Sequence, residues 1–168
     1  RYGCLSRHPC AGFFLSILLF FHSVYIFFLQ NTEDKACYLK DETFPVAVVI
    51  IPAYNEEEAI SLVVEEIPSF ITEIIVVNNN STDDTAGAAF RSGATVIEEP
   101  KPGYGYACLK GIDYAKKLNP QPDIIVFIDG DYSDYPSEMQ SLVNEIINND
   151  CDLVIGSRAL GKIRLICC

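Results

Sequence analysis

The chain has few basic side chains and almost no histidine. Its 168 residues include 12 lysines and arginines against 23 aspartates and glutamates, with only 2 histidines, for a formal net charge of −11. A surface that binds nucleic acid needs clustered lysine and arginine to neutralise phosphates, so this composition argues against a nucleic-acid partner. The negative charge does not exclude small phosphate ligands, because a divalent cation bridges phosphate oxygens to carboxylates.

The chain also lacks the cysteine spacing of a zinc site or of a disulfide framework. None of its 7 cysteines belongs to a Cys-x-x-Cys pair, which favours reduced thiols. Methionine is equally scarce. Because Met139 is the single methionine, we expect the sequence to be a fragment, or to extend upstream of its true start. The length favours one domain with a substantial core.

Residues 1–44 form an amino-terminal segment that contains one long apolar stretch. Residues 11–29 are apolar over a length that suffices for a membrane-spanning helix. Arg1 and Arg7 precede the stretch and acidic residues follow it, a bias that places the amino end on the cytoplasmic side. A signal segment fits the same features, although an Ala-x-Ala cleavage site is absent. We expect the polar residues 30–44 to be a linker.

From residue 45 to residue 168, apolar stretches alternate with helical patterns. Five stretches have the character of strands buried on both faces: 46–51, 73–77, 95–97, 124–128 and 152–155. Their alternation with helices predicts an α/β fold with a doubly wound, mostly parallel sheet. The spacing of Asn55 and Glu58 also predicts a capping box at the start of the first helix.

Two acidic residues directly follow the apolar stretch 124–128. Asp129 and Asp131 flank Gly130, and side chains at positions i and i+2 of a strand point the same way. The glycine allows the backbone to bend so that both carboxylates approach one ion. Open α/β sheets bind ligands at the carboxyl ends of their strands, and Mg²⁺ is commonly held by carboxylates plus substrate phosphates. The alternative is a strand that ends in a solvated acidic turn.

Four short motifs lie in order along residues 45–160. They are Val-Ile-Ile-Pro-Ala-Tyr-Asn-Glu at 49–56, Ile-Ile-Val-Val-Asn-Asn-Asn-Ser-Thr-Asp at 74–83, Asp-Gly-Asp at 129–131 and Gly-Ser-Arg at 156–158. Together they resemble the family 2 glycosyltransferases of the GT-A fold, and within that family the enzymes that glycosylate polyprenyl (dolichyl-type) phosphates. The resemblance implies a GT-A, Rossmann-like sheet that is incomplete at the carboxyl end, because the acceptor-side segment is expected after residue 158.

The resemblance implies that the loop after the first strand holds a nucleotide. The residues of that loop are Pro52, Ala53, Tyr54, Asn55 and Glu56. Tyr54 would lie beside the base, and Val77 and Asn79 would line the base and the ribose. The family usually has aspartate at position 78 or 79, where this chain has asparagine at both. An amide still donates and accepts hydrogen bonds, so the choice between a UDP-sugar and a GDP-sugar stays open.

The resemblance also implies a metal and a diphosphate at the Asp-Gly-Asp motif. Asp129 and Asp131 would be the catalytic carboxylates, which contact the ribose and a Mg²⁺ or Mn²⁺ ion, and Asp131 is the expected direct ligand. Gly130 would lie between them in the nucleotide site. Arg158 would pair with phosphate oxygens as a planar fork.

The implied reaction is the transfer of a hexose from the nucleotide sugar to a polyprenyl phosphate or glycan acceptor, with inversion. A lipid phosphate is already anionic near pH 7, so it needs no general base, whereas a sugar hydroxyl would need one. We expect the protein to be located in the cytoplasm or at the cytoplasmic face of a membrane. We expect it to take part in the synthesis of cell-envelope glycans. We expect this chain alone to bind the nucleotide with impaired turnover.

Other functions share part of the pattern. Phosphatases of the haloacid dehalogenase type use Asp-x-Asp after a strand, but normally after the first strand rather than the fourth. Sugar nucleotidyltransferases open with a glycine-rich first loop, which this chain lacks. A truncated nucleotide-binding module without turnover stays open. Residues 101–106 superficially resemble a dinucleotide fingerprint, which we reject because Cys108 occupies the third glycine position.

Overall fold

The computed structural model describes residues 25–28, 44–149, 152–156 and 166–167. The strands are β1 Tyr25–Phe28, β2 Ala47–Ala53, β3 Ile71–Asn78, β4 Thr95–Glu98, β5 Ile124–Phe127, β6 Leu153–Ile155 and β7 Ile166–Cys167. The helices are α1 Ile60–Glu66, α2 Thr85–Arg91, α3 Tyr104–Ala115 and α4 Met139–Asn149, and a 3-10 turn at Pro136–Glu138 leads into α4. Each of the five predicted strands is present, with small differences at its ends.

The strands form one sheet in the order β4-β3-β2-β5-β1-β6-β7. Neighbouring strands from β4 to β5 pair in parallel. The strand β1 pairs antiparallel with both β5 and β6, and β7 pairs antiparallel with β6. The predicted mostly parallel α/β sheet is therefore confirmed, and its parallel half brings the ends of β2, β3, β4 and β5 to one edge.

Helices cover both faces of the parallel strands, so the sheet is doubly wound as predicted. All residues of β2 are buried, and alternate side chains belong to different clusters. Val49 and Ile51 pack in the cluster that contains residues of α1, α2 and α4. Val48 and Ile50 pack in the second cluster, with residues of α3. Burial of one such side chain contributes about 1.5–3 kcal/mol, and this pattern explains why β2 is an unbroken apolar run.

The helix α3 approaches the sheet closely at Gly111. A Cβ atom at this position would lie 2.4 Å from Ile50 Cγ2, and Ile50 itself is fully buried. The absence of a side chain therefore sets the distance between α3 and β2. Because α3 begins beside the carboxyl ends of the strands, this packing also fixes where its first turn lies.

Part of the predicted membrane helix 11–29 has a different structure. Tyr25–Phe28 form β1, whose backbone pairs with β5 and β6. An apolar stretch satisfies its backbone groups as well between two strands as in a helix, and here the neighbouring strands provide the partners. The remaining residues of 11–29, and residues 30–43 of the predicted linker 30–44, lie outside the described residues. Among the helices that the structure describes, none is long and apolar enough to cross a membrane.

Candidate functional site

A cavity of about 700 Å³ lies at the carboxyl ends of β2, β3 and β5 and the first turn of α3. This is the edge at which open α/β sheets bind ligands. Eight residues predicted for the site line this cavity: Pro52, Ala53, Tyr54, Glu56, Asn79, Asp129, Gly130 and Asp131. The fold thus brings the first loop, the asparagine loop and the Asp-Gly-Asp motif together.

The loop after β2 is held by the loop after β3. Asn55 has a left-handed backbone conformation, with φ of 56°. Its amide nitrogen donates to Ser81 Oγ at 3.0 Å, and its side-chain oxygen accepts from the Thr82 amide at 2.8 Å. The predicted capping box is therefore wrong, because α1 begins at Ile60 and its N-cap Ala59 makes no side-chain capping bond. Asn55 supports the cavity wall and does not line the cavity.

Glu56 gives the cavity an excess of negative charge. Its backbone nitrogen donates to Thr85 Oγ1 at 2.8 Å, which holds the loop against α2. The pKa of Glu56 is raised by partial burial, then by the nearby carboxylates of Asp131, Asp83 and Asp129. Carboxylates that repel one another across a cavity are stabilised by a cation between them.

The two aspartates of the motif are oriented by separate donors. The Tyr104 hydroxyl donates to Asp129 Oδ1 at 2.9 Å, and the Ser133 amide donates to Asp131 Oδ1 at 2.9 Å. Asp129, two residues after the end of β5, is half-buried, whereas Asp131 is exposed. Tyr132 follows with a left-handed φ of 58°, which turns the chain away from the strand direction.

The donor set suits a hard divalent cation that is shared with a ligand. Among the described residues, no group of three histidine, cysteine, aspartate or glutamate side chains converges as a metal cage. Carboxylate oxygens are the ligands that Mg²⁺ and Mn²⁺ prefer, and Mg²⁺ is usually held by one or two carboxylates plus substrate phosphates. Asp131 and Asp129 fit that arrangement.

Three successive asparagines connect the end of β3 to the β4–α3 loop. Asn78 Nδ2 donates to the Glu98 carboxylate at 3.0 and 3.1 Å. Asn80 Nδ2 donates to the Pro100 carbonyl at 2.9 Å, with its own backbone at φ of 64°. Asn79 lies between them and reaches the same loop. We call Asn78, Asn79 and Asn80 the asparagine clamp.

Asn79 bonds to three residues of the β4–α3 loop and is almost completely buried, with 7% of its surface exposed. Its Nδ2 donates to the carbonyls of Glu99 at 2.8 Å and Lys101 at 2.7 Å. Its Oδ1 accepts from the Gly103 amide at 2.7 Å. Both side-chain N–H donors are therefore used inside the protein, and a donated hydrogen bond to a base or ribose would replace one of these bonds.

Val77, which was also predicted for the site, does not line the cavity. The Val77 side chain is fully buried and packs in the cluster on the α3 face of the sheet. Its position in β3 directs it into the core, because successive side chains of a strand point to opposite faces. Arg158 lies outside the described residues.

Sequence analysis missed the contribution of the β4–α3 loop. Pro100, Pro102, Gly103 and Tyr104 line the cavity together with residues of the predicted site. Three of them lie in residues 101–106, which superficially resemble a dinucleotide fingerprint, and the order of elements is the stronger signal for this loop. It follows a parallel strand, and loops that follow parallel strands meet at the same edge of the sheet.

The first turn of α3 also has unusual acid–base properties. Burial raises the pKa of Tyr104, and the neighbouring Cys108 and Asp129 raise it further. Burial likewise raises the pKa of the Cys108 thiol to about 12. Both groups therefore keep their protons at neutral pH, and Tyr104 serves as a neutral hydrogen-bond donor to the Asp129 carboxylate.

The comparison with protein families settles which kind of domain this is. The model of Glycosyl transferase family 2 matches residues 48–164, which include the cavity. The chain belongs to glycosyltransferase family 2. The haloacid dehalogenase alternative is therefore wrong for this chain. An uncharacterized glycosyltransferase of Mycobacterium tuberculosis (strain ATCC 25618 / H37Rv) is 42% identical over 110 residues, which are 66% of this chain and 47% of that protein.

Two further similarities connect this family 2 domain to named enzymes. The dolichyl-phosphate hexose transferase of Haloferax volcanii is 32% identical over 123 residues, which are 71% of this chain and 51% of that protein. A similar solved structure is the crystal structure of Mycobacterium tuberculosis glucosyl-3-phosphoglycerate synthase with Mn²⁺, UDP-glucose and phosphoglyceric acid. Its sequence is 30% identical, and the match covers 63% of this chain and 40% of that chain with a TM-score of 0.56. The similarity supports the GT-A fold, and the chain spans about half the length of these relatives.

Proposed function

We propose that the protein transfers a hexose from a nucleotide diphosphate sugar to a polyprenyl phosphate or glycan acceptor, with inversion at the anomeric carbon. The observation that carries this proposal is the cavity that joins the first loop, Asn79 and the Asp-Gly-Asp motif. Its volume of about 700 Å³ lies within the range of roughly 300–1,000 Å³ that is usual for small-molecule sites. Family membership supports the same reaction class.

The donor would bind with its nucleotide against the first loop and its diphosphate toward Asp131. Tyr54 is 59% exposed at the cavity and offers a flat aromatic face to a base. Pro52 and Ala53 form an apolar floor beside it. The asparagine clamp closes the opposite side through the β4–α3 loop. UDP is the first nucleotide to test, because the similar synthase structure holds UDP-glucose.

Asp131 and Asp129 would hold a Mg²⁺ or Mn²⁺ ion together with the diphosphate oxygens. Such an ion supplies charge neutralisation for the leaving diphosphate. The mutual repulsion of Glu56, Asp129 and Asp131 supports this assignment, because a bound cation relieves it. Structures of the similar synthase contain Mn²⁺ or Mg²⁺ with UDP. Arg158, predicted as a phosphate contact, stays part of this proposal.

The acceptor we favour is a polyprenyl phosphate. Its phosphate oxygen is an anionic nucleophile near pH 7, so the cavity need not provide a general base. The relative named as a dolichyl-phosphate hexose transferase supports this choice. A glycan hydroxyl is the alternative acceptor and would require a base. Both acceptors fit a protein at the cytoplasmic face of a membrane, where the donor is available.

Transfer of a radiolabelled sugar tests the proposal directly. Because we expect impaired turnover from residues 1–168 alone, a longer protein that includes them is incubated with UDP-glucose or GDP-mannose, Mn²⁺ and a polyprenyl phosphate, and label in the organic phase is counted. We expect Asp131→Asn to lower kcat/KM by about a hundred-fold or more, because it removes charge that stabilises the transition state. The control is Asp113→Asn, which makes the same change at an exposed position on α3 outside the cavity.

Two results would contradict the assignment of Asp131. One is equal activity of Asp131→Asn and the unchanged protein, and the other is equal loss in the Asp113→Asn control. The anomeric configuration of the product, measured by NMR, tests inversion separately. An α-linked donor should give a β-linked product.

A further inference from the structure

The Tyr104 hydroxyl donates a hydrogen bond to Asp129, which lies two residues after the end of β5. It lies 2.9 Å from Asp129 Oδ1, a distance typical of a hydrogen bond between a hydroxyl and a carboxylate. The Tyr104 ring lines the same cavity as Asp129 and Asp131. A hydrogen bond to a charged group has a preferred direction, so this contact restricts the rotation of the Asp129 carboxylate.

The position of Tyr104 depends in turn on Asn79. Tyr104 is the first residue of α3, and Gly103 is the residue that precedes the helix, with φ of 132°. This backbone conformation favours glycine. Asn79 Oδ1 accepts from the Gly103 amide at 2.7 Å, while Asn79 Nδ2 holds the two carbonyls just upstream. The loop is thus fixed from both sides by one buried amide.

We propose that Asn79 and Tyr104 are positioning residues that together set the orientation of Asp129 for the metal-bound diphosphate of the donor. Asn79 holds the loop, the loop places Tyr104, and Tyr104 orients the carboxylate. This inference rests on the proposed function, since it assigns a purpose to Asp129 in donor binding. It also gives Asn79 a task inside the protein, in place of a donated hydrogen bond to the nucleotide base.

The chemistry of the amide explains why asparagine occupies position 79. Its side chain donates two hydrogen bonds and accepts one in this structure. An ionised aspartate of the same shape accepts only, so it would face the Glu99 and Lys101 carbonyls without a donor. Asn79→Asp therefore removes the donated bonds with almost no change in volume.

Nucleotide titration of matched variants tests the proposal. Calorimetry measures the Kd of UDP and of GDP, with and without Mn²⁺, for the unchanged chain, Tyr104→Phe, Asn79→Asp and the control Tyr106→Phe. Tyr106 lies on the same helix turn outside the cavity, and its contact with Lys101 involves the ring and not the hydroxyl. We expect Tyr104→Phe to weaken Mn²⁺-dependent binding about ten-fold, with Tm unchanged, and Tyr106→Phe to have no effect.

A double-mutant cycle separates positioning from general damage to the fold. If Tyr104 acts through Asp129, Tyr104→Phe should have little further effect in an Asp129→Ala background. Asn79→Asp and Tyr104→Phe combined should be no weaker than the more affected single variant. Additive losses, or a Tyr104→Phe variant that binds like the unchanged chain, would overturn the proposal even if Asn79→Asp fails to fold.

The same titrations distinguish failure of this proposal from failure of the proposed function. If the unchanged chain shows no Mn²⁺-dependent nucleotide binding, the assignment of the donor site is wrong. The positioning role of Asn79 and Tyr104 is then wrong as well. If the unchanged chain binds and Asp131→Ala does not, the donor site stands. In that case the behaviour of Tyr104→Phe alone decides whether Asn79 and Tyr104 position Asp129.

Discussion

At the scale of single residues, the surroundings of Glu56 disfavour the charged form of its side chain. Partial burial raises its pKa, and the carboxylates of Asp131, Asp83 and Asp129 add to the increase. A raised pKa in the folded state means that the proton binds the folded protein more tightly than the unfolded chain. The stability that the protonated Glu56 contributes is complete at a pH below the pKa of the unfolded chain. It is lost as the pH rises through the pKa of the folded protein.

We therefore predict that Glu56→Gln stabilises the protein increasingly as pH rises from 4 to 7. A glutamine resembles the protonated acid at low pH and removes the repulsion at neutral pH. Urea unfolding at several pH values measures the difference in unfolding free energy between variant and unchanged chain. Glu58→Gln, at an exposed glutamate outside the cavity, is the control. A difference that shrinks or turns negative toward pH 7 would refute this account of Glu56.

Residue types were predictable at this scale, but the partners of these residues were not. The position of Asp129 and Asp131 after the apolar stretch 124–128 was predictable, because the end of a strand is a local feature of the sequence. The partner of Asn55 is Thr82, and the partners of Asn79 are Glu99, Lys101 and Gly103. These contacts cross between loops, so a local spacing such as the capping box could not reveal them.

At the scale of elements, the close contact between α3 and β2 is the feature that a substitution tests best. A Cβ at Gly111 would lie 2.4 Å from Ile50 Cγ2 and 3.2 Å from Ile50 Cδ1, inside a packed core. Extra volume in a packed core lowers the free energy of unfolding by about 1–3 kcal/mol. Replacing glycine by alanine in a helix raises it by about 1 kcal/mol. The packing cost should be the larger effect here, because Ile50 is enclosed on all sides.

We predict that Gly111→Ala lowers the unfolding free energy by about 1 kcal/mol or more, measured by urea denaturation. The control is Gly87→Ala in α2, where the nearest atoms are the ends of the Asp84 and Arg91 side chains. That ion pair is exposed and contributes little, so Gly87→Ala should be neutral, or stabilising by up to about 1 kcal/mol. Equal effects of the two substitutions would contradict this prediction, because helix propensity and not packing would then determine the change in unfolding free energy.

Elements with a strong local pattern were predicted, and those that depend on distant partners were not. The strands β2 and β5 follow from unbroken apolar runs. The strand β1 does not, because an apolar stretch such as 11–29 fits a membrane helix as well as a strand. Its pairing with β5 and β6 decides the outcome for Tyr25–Phe28, and that pairing involves residues about a hundred positions away.

At the scale of the whole molecule, a cavity lined by three carboxylates lies in a protein of net charge −11. Such a protein repels a free nucleotide diphosphate, so a divalent cation should be needed for tight binding. The parallel order of β2, β3 and β5 places this cavity at the edge where open α/β sheets bind ligands.

The most direct measurement is calorimetric titration of the chain with UDP and with GDP, each with and without Mn²⁺, repeated on Asp131→Ala. We predict that one of the two nucleotides binds only when Mn²⁺ is present and that Asp131→Ala abolishes this binding. Nucleotide binding that is equally strong without Mn²⁺, or unchanged in Asp131→Ala, would contradict the central claim that Asp131 and a divalent cation together hold the donor.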